Sequence, residues 1–105
     1  MRYFFDTYAL IELTRENKNY LAYRDETITT SILNLGEFYL ACLKLNDEDL
    51  GEKWCNLLQA NTLEIGLDMI KKAMKFKLEN KQKNFSFNDC VGYIVAKENS
   101  LIFLT

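Results

Sequence analysis

The sequence predicts an α/β fold, a three-layer α/β/α sandwich around a small central parallel sheet. Three stretches carry the expectation. Residues 2–5 form a short apolar strand that runs through Asp6 into the helical pattern of residues 7–13. Residues 27–33, TITTSIL, run in the same way into a helical pattern over 34–45, and a late helix leads into LIFLT, residues 101–105. Strand followed by helix, repeated, marks βαβ units and hence parallel strands. The 105 residues are enough for one domain with one core, and 49% hydrophobic with 27% charged residues is an ordinary globular composition.

Asp6 stands at the carboxyl end of the first strand, the edge at which open α/β sheets place their ligands. It is also a favoured helix N-cap, and on that stretch alone capping is the simpler reading. Residues 16–26, polar around Tyr20, Leu21 and Tyr23, read as a short second helix in a hairpin. The β-branched run 27–33 reads as the second strand. In the helix after it, Leu35, Phe38, Tyr39, Cys42 and Leu45 form an apolar stripe. Glu37 lies off the stripe, as a solvated acid favoured by the helix dipole or as a second carboxylate on the edge that carries Asp6.

The acids of NDEDLGE open a helix over 47–60, whose buried face is Leu50, Trp54, Leu57 and Leu58; Trp54 reads as a core or interface anchor. Residues 61–66 are a short strand or linker. A long helix is expected over 67–83, with Leu67, Ile70, Met74 and Leu78 on one side. Six of the 13 basic residues crowd here, at Lys71, Lys72, Lys75, Lys77, Lys81 and Lys83. They are a solvated face, or a phosphate-binding surface led by Lys71, Lys72 and Lys75.

Ser86 is positioned to cap a helix whose body, 90–96, is apolar almost all round. Asp89 falls in its first turn, on the side of Gly92 and Ala96. It can complete a capping box with Ser86, and an ionised carboxylate in such apolar surroundings also asks for a pairing partner or a metal. LIFLT has the pattern of a fully buried parallel strand. Cys42, Cys55 and Cys90 are odd in number and embedded in apolar patterns, as reduced buried thiols are.

The chain has no histidine, which excludes a Ser-His-Asp triad, a Cys-His pair, histidine-based RNA cleavage and nearly all zinc hydrolase sites supplied by the chain itself. Its four glycines are isolated and make no phosphate loop. Carboxylates remain. Right-handed βαβ connections carry Asp6, Glu37 and Asp89 to one side of the sheet, where three hard oxygen ligands suit Mg²⁺ or Mn²⁺ and metal-assisted phosphodiester hydrolysis.

With FFDTYALIEL around Asp6, SILNLGEFY around Glu37 and FSFNDCVGYIVAKENSLIFLT around Asp89, the sequence resembles the PIN domains, and within them the small VapC-like toxins of prokaryotic toxin–antitoxin pairs. The resemblance covers the whole chain. It implies a metal-dependent endoribonuclease holding Mg²⁺ or Mn²⁺ on Asp6, Glu37 and Asp89, with Thr7 and Thr105 in supporting polar roles. It also implies an RNA substrate and an antitoxin partner. Self-association is expected from it and from aromatics such as Phe38, Tyr39, Trp54 and Phe76, which exceed what one small core easily holds.

Family members usually continue past the strand matching LIFLT with a further acid and a closing strand, so a single PIN-like domain over 1–105 lacking its last strand, with a weakened site, is expected. The rival to a nuclease is a catalytically weak or inactive PIN-fold interaction module. Other acid-centred classes fit poorly: a haloacid-dehalogenase-type phosphatase needs an acid where Tyr8 stands. A response-regulator receiver needs an acidic pair where Phe5 precedes Asp6, and a lysine that LIFLT lacks. No apolar run approaches the roughly 20 residues of a membrane span and no signal peptide is evident, so a cytoplasmic protein is expected.

Overall fold

The computed structural model describes residues 2–105. Strand β1 (Tyr3–Phe5) leads into helix α1 (Thr7–Thr14), and a 3-10 turn (Lys18–Tyr23) brings the chain to β2 (Thr30–Ser31). Helices α2 (Ile32–Lys44) and α3 (Glu48–Leu58) follow, then β3 (Thr62–Leu63), α4 (Leu67–Glu79), a 3-10 turn (Lys81–Lys83), α5 (Phe87–Glu98) and β4 (Ile102–Leu104). β1 pairs in parallel with β4, Tyr3 opposite Ile102 and Phe5 opposite Leu104. β2 pairs in parallel with β3. A parallel bridge between Phe4 and Thr29, with the Phe5 N–H donating to Thr29 O at 2.8 Å, joins the ladders in the order β3-β2-β1-β4.

The three layers follow from the two-residue period of β1, whose successive side chains point to opposite faces. Phe4 enters a core with Ala73 of α4 and Cys90, Val91 and Val95 of α5; Phe5 enters a second core with Ala9, Leu10, Leu35, Phe38 and Cys42. Both rings are fully buried, so truncating either to alanine should cost about 3–5 kcal/mol. Gly92 is what lets α5 lie so close to the sheet. A Cβ there would stand 3.2 Å from the Phe4 ring and 3.3 Å from the Phe103 ring. Among the described residues no helix is long and apolar enough to cross a membrane.

Three boundaries and two burials differ from the sequence expectation. The second strand stops at Ser31, whose Oγ accepts from the Asn34 N–H at 3.1 Å and starts α2 two residues early, overriding the β propensity of Ile32 and Leu33. α3 is shorter at both ends than 47–60, and Leu57, expected on its buried face, is exposed. The lysine-rich helix ends at Glu79, where Asn80 turns its side-chain amide onto Phe76 O and the left-handed Asn84 (φ 53°) breaks the path. β4 is not fully buried: Ile102 is 56% exposed. Of the aromatics named above, Phe38 is buried in one core, Trp54 packs partly buried against it, and Phe76 packs partly buried against the other.

Left-handed residues close other helices. Glu16 (φ 61°) follows α1, Asn46 (φ 55°) follows α2 and Ser100 (φ 56°) follows α5; no described glycine has a positive φ.

Candidate active site

Asp6 lies where β1 hands the chain to α1, its N–H donating to Leu104 O across the sheet at 3.0 Å. Its Oδ1 accepts from the Ala9 N–H at 2.9 Å, so it is the N-cap of α1. It is also only 5% exposed. Burial pushes its carboxyl above the usual aspartate range and the charge of Asp89 adds to this, while hydrogen bonds from the Thr105 hydroxyl and the Ala9 N–H pull the other way.

Asp89 completes a capping box at the start of α5: its N–H donates to Ser86 Oγ at 3.0 Å and its Oδ2 accepts from the Ser86 N–H at 3.2 Å. The capping role and a place at the site coexist, because Asp89 lines with Asp6 and Thr105 a cavity of about 460 Å³. Thr105 is fastened from the far side by the Tyr20 hydroxyl, which donates to its main-chain oxygen at 3.0 Å.

Glu37 is exposed and stands outside the lining of that cavity, as does Thr7, its hydrogen-bond partner. The Thr7 hydroxyl lies 3.2 Å from Glu37 Oε1 and 3.3 Å from Asn34 O, able to donate to either, and it accepts from the Asn34 side-chain amide at 3.1 Å. Asn34 is itself fixed by the Ser31 hydroxyl, which donates to its Oδ1 at 2.6 Å. The relay Ser31, Asn34, Thr7, Glu37 is thereby anchored in buried structure at its inner end.

A PIN domain family model matches residues 3–105 of the sequence. The chain belongs to the PIN domain family. Its fold is that of solved VapC structures. VapC20 of Mycobacterium tuberculosis, a sarcin-ricin loop cleaving toxin, is 17% identical with a TM-score of 0.77, over 93% of this chain and 83% of that one. A toxin–antitoxin complex from Klebsiella pneumoniae contains a chain 22% identical with a TM-score of 0.74, over 98% of this chain and 84% of that one. No protein of curated function matches the sequence.

In this PIN domain the two aspartates meet at one cavity, and Glu37 reaches the same strand-to-helix junction through a hydroxyl. Among the described residues no three acids close around a point, and neither Asp6 nor Asp89 forms an ion pair. An all-oxygen donor set with negative charge left unbalanced fits a hard divalent cation, which commonly takes only one or two carboxylates from protein. The lysines divide. Lys72 is paired with Glu98, and Lys77 donates to Phe85 O. Lys71 and Lys75 are exposed on α4 away from the cavity, and the lysine at its wall is Lys83. Sequence reasoning did not single out Asn34, or Lys83, Phe85, Tyr93 and Phe103 as cavity residues. The i, i+4, i+7 spacing of Phe76, Asn80 and Lys83 in the sequence was the available signal for part of that wall, although the helix itself ends at Glu79.

Proposed function

We propose that this PIN domain is a metal-dependent endoribonuclease that hydrolyses RNA phosphodiester bonds, acting as the toxin of a toxin–antitoxin pair. The observation that carries the reading is a buried aspartate, Asp6, with no counter-cation paired to it among the described residues, lining one cavity with a second aspartate at the carboxyl edge of a parallel sheet. Burying a carboxylate without a partner is costly, and a site that does so is arranged to receive positive charge. Asp6, Asp89 and Glu37 would hold Mg²⁺ or Mn²⁺, which when bound polarises a phosphate and lowers the pKa of an attacking water.

The chain's own groups prepare that arrangement. The Ala9 N–H fixes one oxygen of the Asp6 carboxylate, and the Ser86 N–H fixes one oxygen of Asp89. Thr7 orients Glu37 from a buried amide. Lys83 at the wall, with Lys71 and Lys75 on the open face of α4, offers ammonium groups to the RNA backbone, contacts that position the strand without reading its bases. The fold shared with a VapC toxin and with a chain of a toxin–antitoxin complex supports an antitoxin partner. Exposed Leu40 (50%), Leu43 (40%) and Leu57 (58%) supply apolar surface for that partner and for a homodimer.

The test is cleavage of single-stranded RNA in Mg²⁺ or Mn²⁺, stopped by EDTA and restored by adding metal back. Cleavage that continues undiminished in EDTA would overturn metal dependence. A protein that cleaves no RNA under any metal while binding its antitoxin would be the inactive interaction module instead.

A further inference from the structure

The cavity beside the two aspartates has walls that neither a metal ion nor a phosphate explains. Phe76 of α4, Phe85 ahead of α5, Tyr93 of α5 and Phe103 of β4 all border it. The rings of Phe76 and Tyr93 stack with centroids 4.9 Å apart, those of Phe76 and Phe85 lie near-parallel at 5.9 Å, and Tyr93 meets Phe103 edge-on at 5.9 Å. Phe76, Phe85 and Phe103 pack on one side against the core around Phe4 and α5, and all four rings keep surface on the cavity. Tyr93 is 38% exposed and the three phenylalanines are half-buried.

We propose that this cavity is a nucleobase pocket, which takes one unstacked base of a single-stranded or looped RNA next to the phosphate that Asp6 and Asp89 address; the proposal rests on the ribonuclease reading and deepens it. Apolar walls repel an ion, because they offer nothing in place of its water. A base presents a flat neutral face that stacks on aromatic side chains, the usual way proteins hold unpaired RNA bases. The volume of about 460 Å³ falls within the roughly 300–1,000 Å³ of small-ligand sites. Polar groups stand where a nucleotide would carry its own: Lys83 on the wall suits an adjoining phosphate, and Asn80 offers a hydrogen-bonding edge.

The pocket also accounts for how the site would select its substrate form. A base inside a duplex cannot enter a cavity bounded by α4, α5 and β4 without leaving its stack, so single strands, loops and bulges are favoured over helical RNA.

The experiment is binding of short fluorescein-labelled single-stranded RNA in EDTA, followed by anisotropy, with one abasic position moved along the strand. For the parent protein, one position should weaken binding by about five- to a hundredfold when abasic, the range that loss of a stacked base implies. Tyr93→Leu should weaken the intact RNA by a similar factor and lose sensitivity to that position; Tyr93→Phe should match the parent. Phe85→Leu, from a different wall, should repeat the effect if Tyr93→Leu disturbs folding by circular dichroism. An abasic profile unchanged in Tyr93→Leu and Phe85→Leu would overturn the pocket, and so would a parent indifferent to abasic sites, as expected of a cavity that receives a partner protein's side chain. The two readings fail separately. A parent that shows the position but never cleaves RNA with metal present loses the nuclease and keeps the pocket, whereas one that cleaves without any such position loses the pocket alone.

Discussion

Helices α1 and α5 begin alike and sit in different surroundings. Each start carries an aspartate that commits an oxygen to a nearby backbone N–H, Asp6 to Ala9 and Asp89 to Ser86. Asp89 is open to solvent, as a capping acid normally is, whereas Asp6 is 5% exposed and neighbours a like charge. Capping explains the hydrogen bonds at both helices. It does not explain the burial at one, since a cap works as well at a wet surface. The difference teaches that two acids with like capping bonds can differ in desolvation, and that burial among the described residues without a counter-cation marks Asp6 in a way its hydrogen bonds do not.

The sharpest way to break the comparison is Asp6→Asn. Asparagine caps as well as aspartate, so the fold stays and only the charge is lost. RNA cleavage should fall about 10²- to 10⁴-fold, because several kcal/mol of transition-state charge stabilisation depends on the ion and each 1.36 kcal/mol is tenfold. A parental rate in this variant would return Asp6 to a structural role. Next comes Asp89→Asn set against Ser86→Ala. The first should cost about ten- to a hundredfold in cleavage; the second, which removes only the capping hydroxyl, should cost about 1 kcal/mol of stability in a denaturant melt and leave the rate intact. Equal rate losses in the two would mean that capping, not charge, was being measured.

A smaller effect is expected at the third acid. Thr7→Val removes the hydroxyl near Glu37 Oε1 and strands the Asn34 amide, and should cost about tenfold in cleavage and about 1–3 kcal/mol of stability. Calorimetry of Mn²⁺ binding would show whether the loss lies in metal affinity.

The smallest signal sharpens the desolvation argument in metal-free protein. The folded-state pKa of Asp6 lies above its unfolded value, so the folded chain holds this proton more tightly than the unfolded one does. Its burial therefore destabilises the metal-free fold at neutral pH, and the penalty fades as pH falls through the folded pKa toward the unfolded one. Metal-free Asp6→Asn should melt a few degrees above the parent at pH 7, with the gap closing near pH 4. A gap that does not change with pH would mean that Asp6 is not desolvated as described.

Much of this was legible in the sequence where one local rule acted alone. FFDTYALIEL announced strand, cap and helix, and Ser86 with Asp89 announced the capping box, because residues within three or four positions decide those features. TITTSIL misled by two residues, since its β-branched composition ran on past a serine whose hydroxyl had already begun the helix. The aromatic wall was illegible for another reason. Phe76, Phe85, Tyr93 and Phe103 come together only when α4 packs on α5 and β4 closes on β1, contacts that no local pattern encodes. Asn34 was hidden similarly, as its partner Thr7 lies 27 residues away.

The left-handed residues that close the helices leave room for thermal hardening. Glu16 and Ser100 adopt positive φ with side chains that disfavour it, at about 1–2 kcal/mol each, while the chain's glycines occupy positions that need no such freedom of φ. Glycine at these two places would relieve that strain and give back about 0.5–1 kcal/mol in unfolded-chain entropy, for a net gain of up to about 1 kcal/mol apiece. Neither residue borders the acidic cavity. The pair Glu16→Gly and Ser100→Gly is thus a ready background in which damaging active-site substitutions can be carried without losing the folded protein.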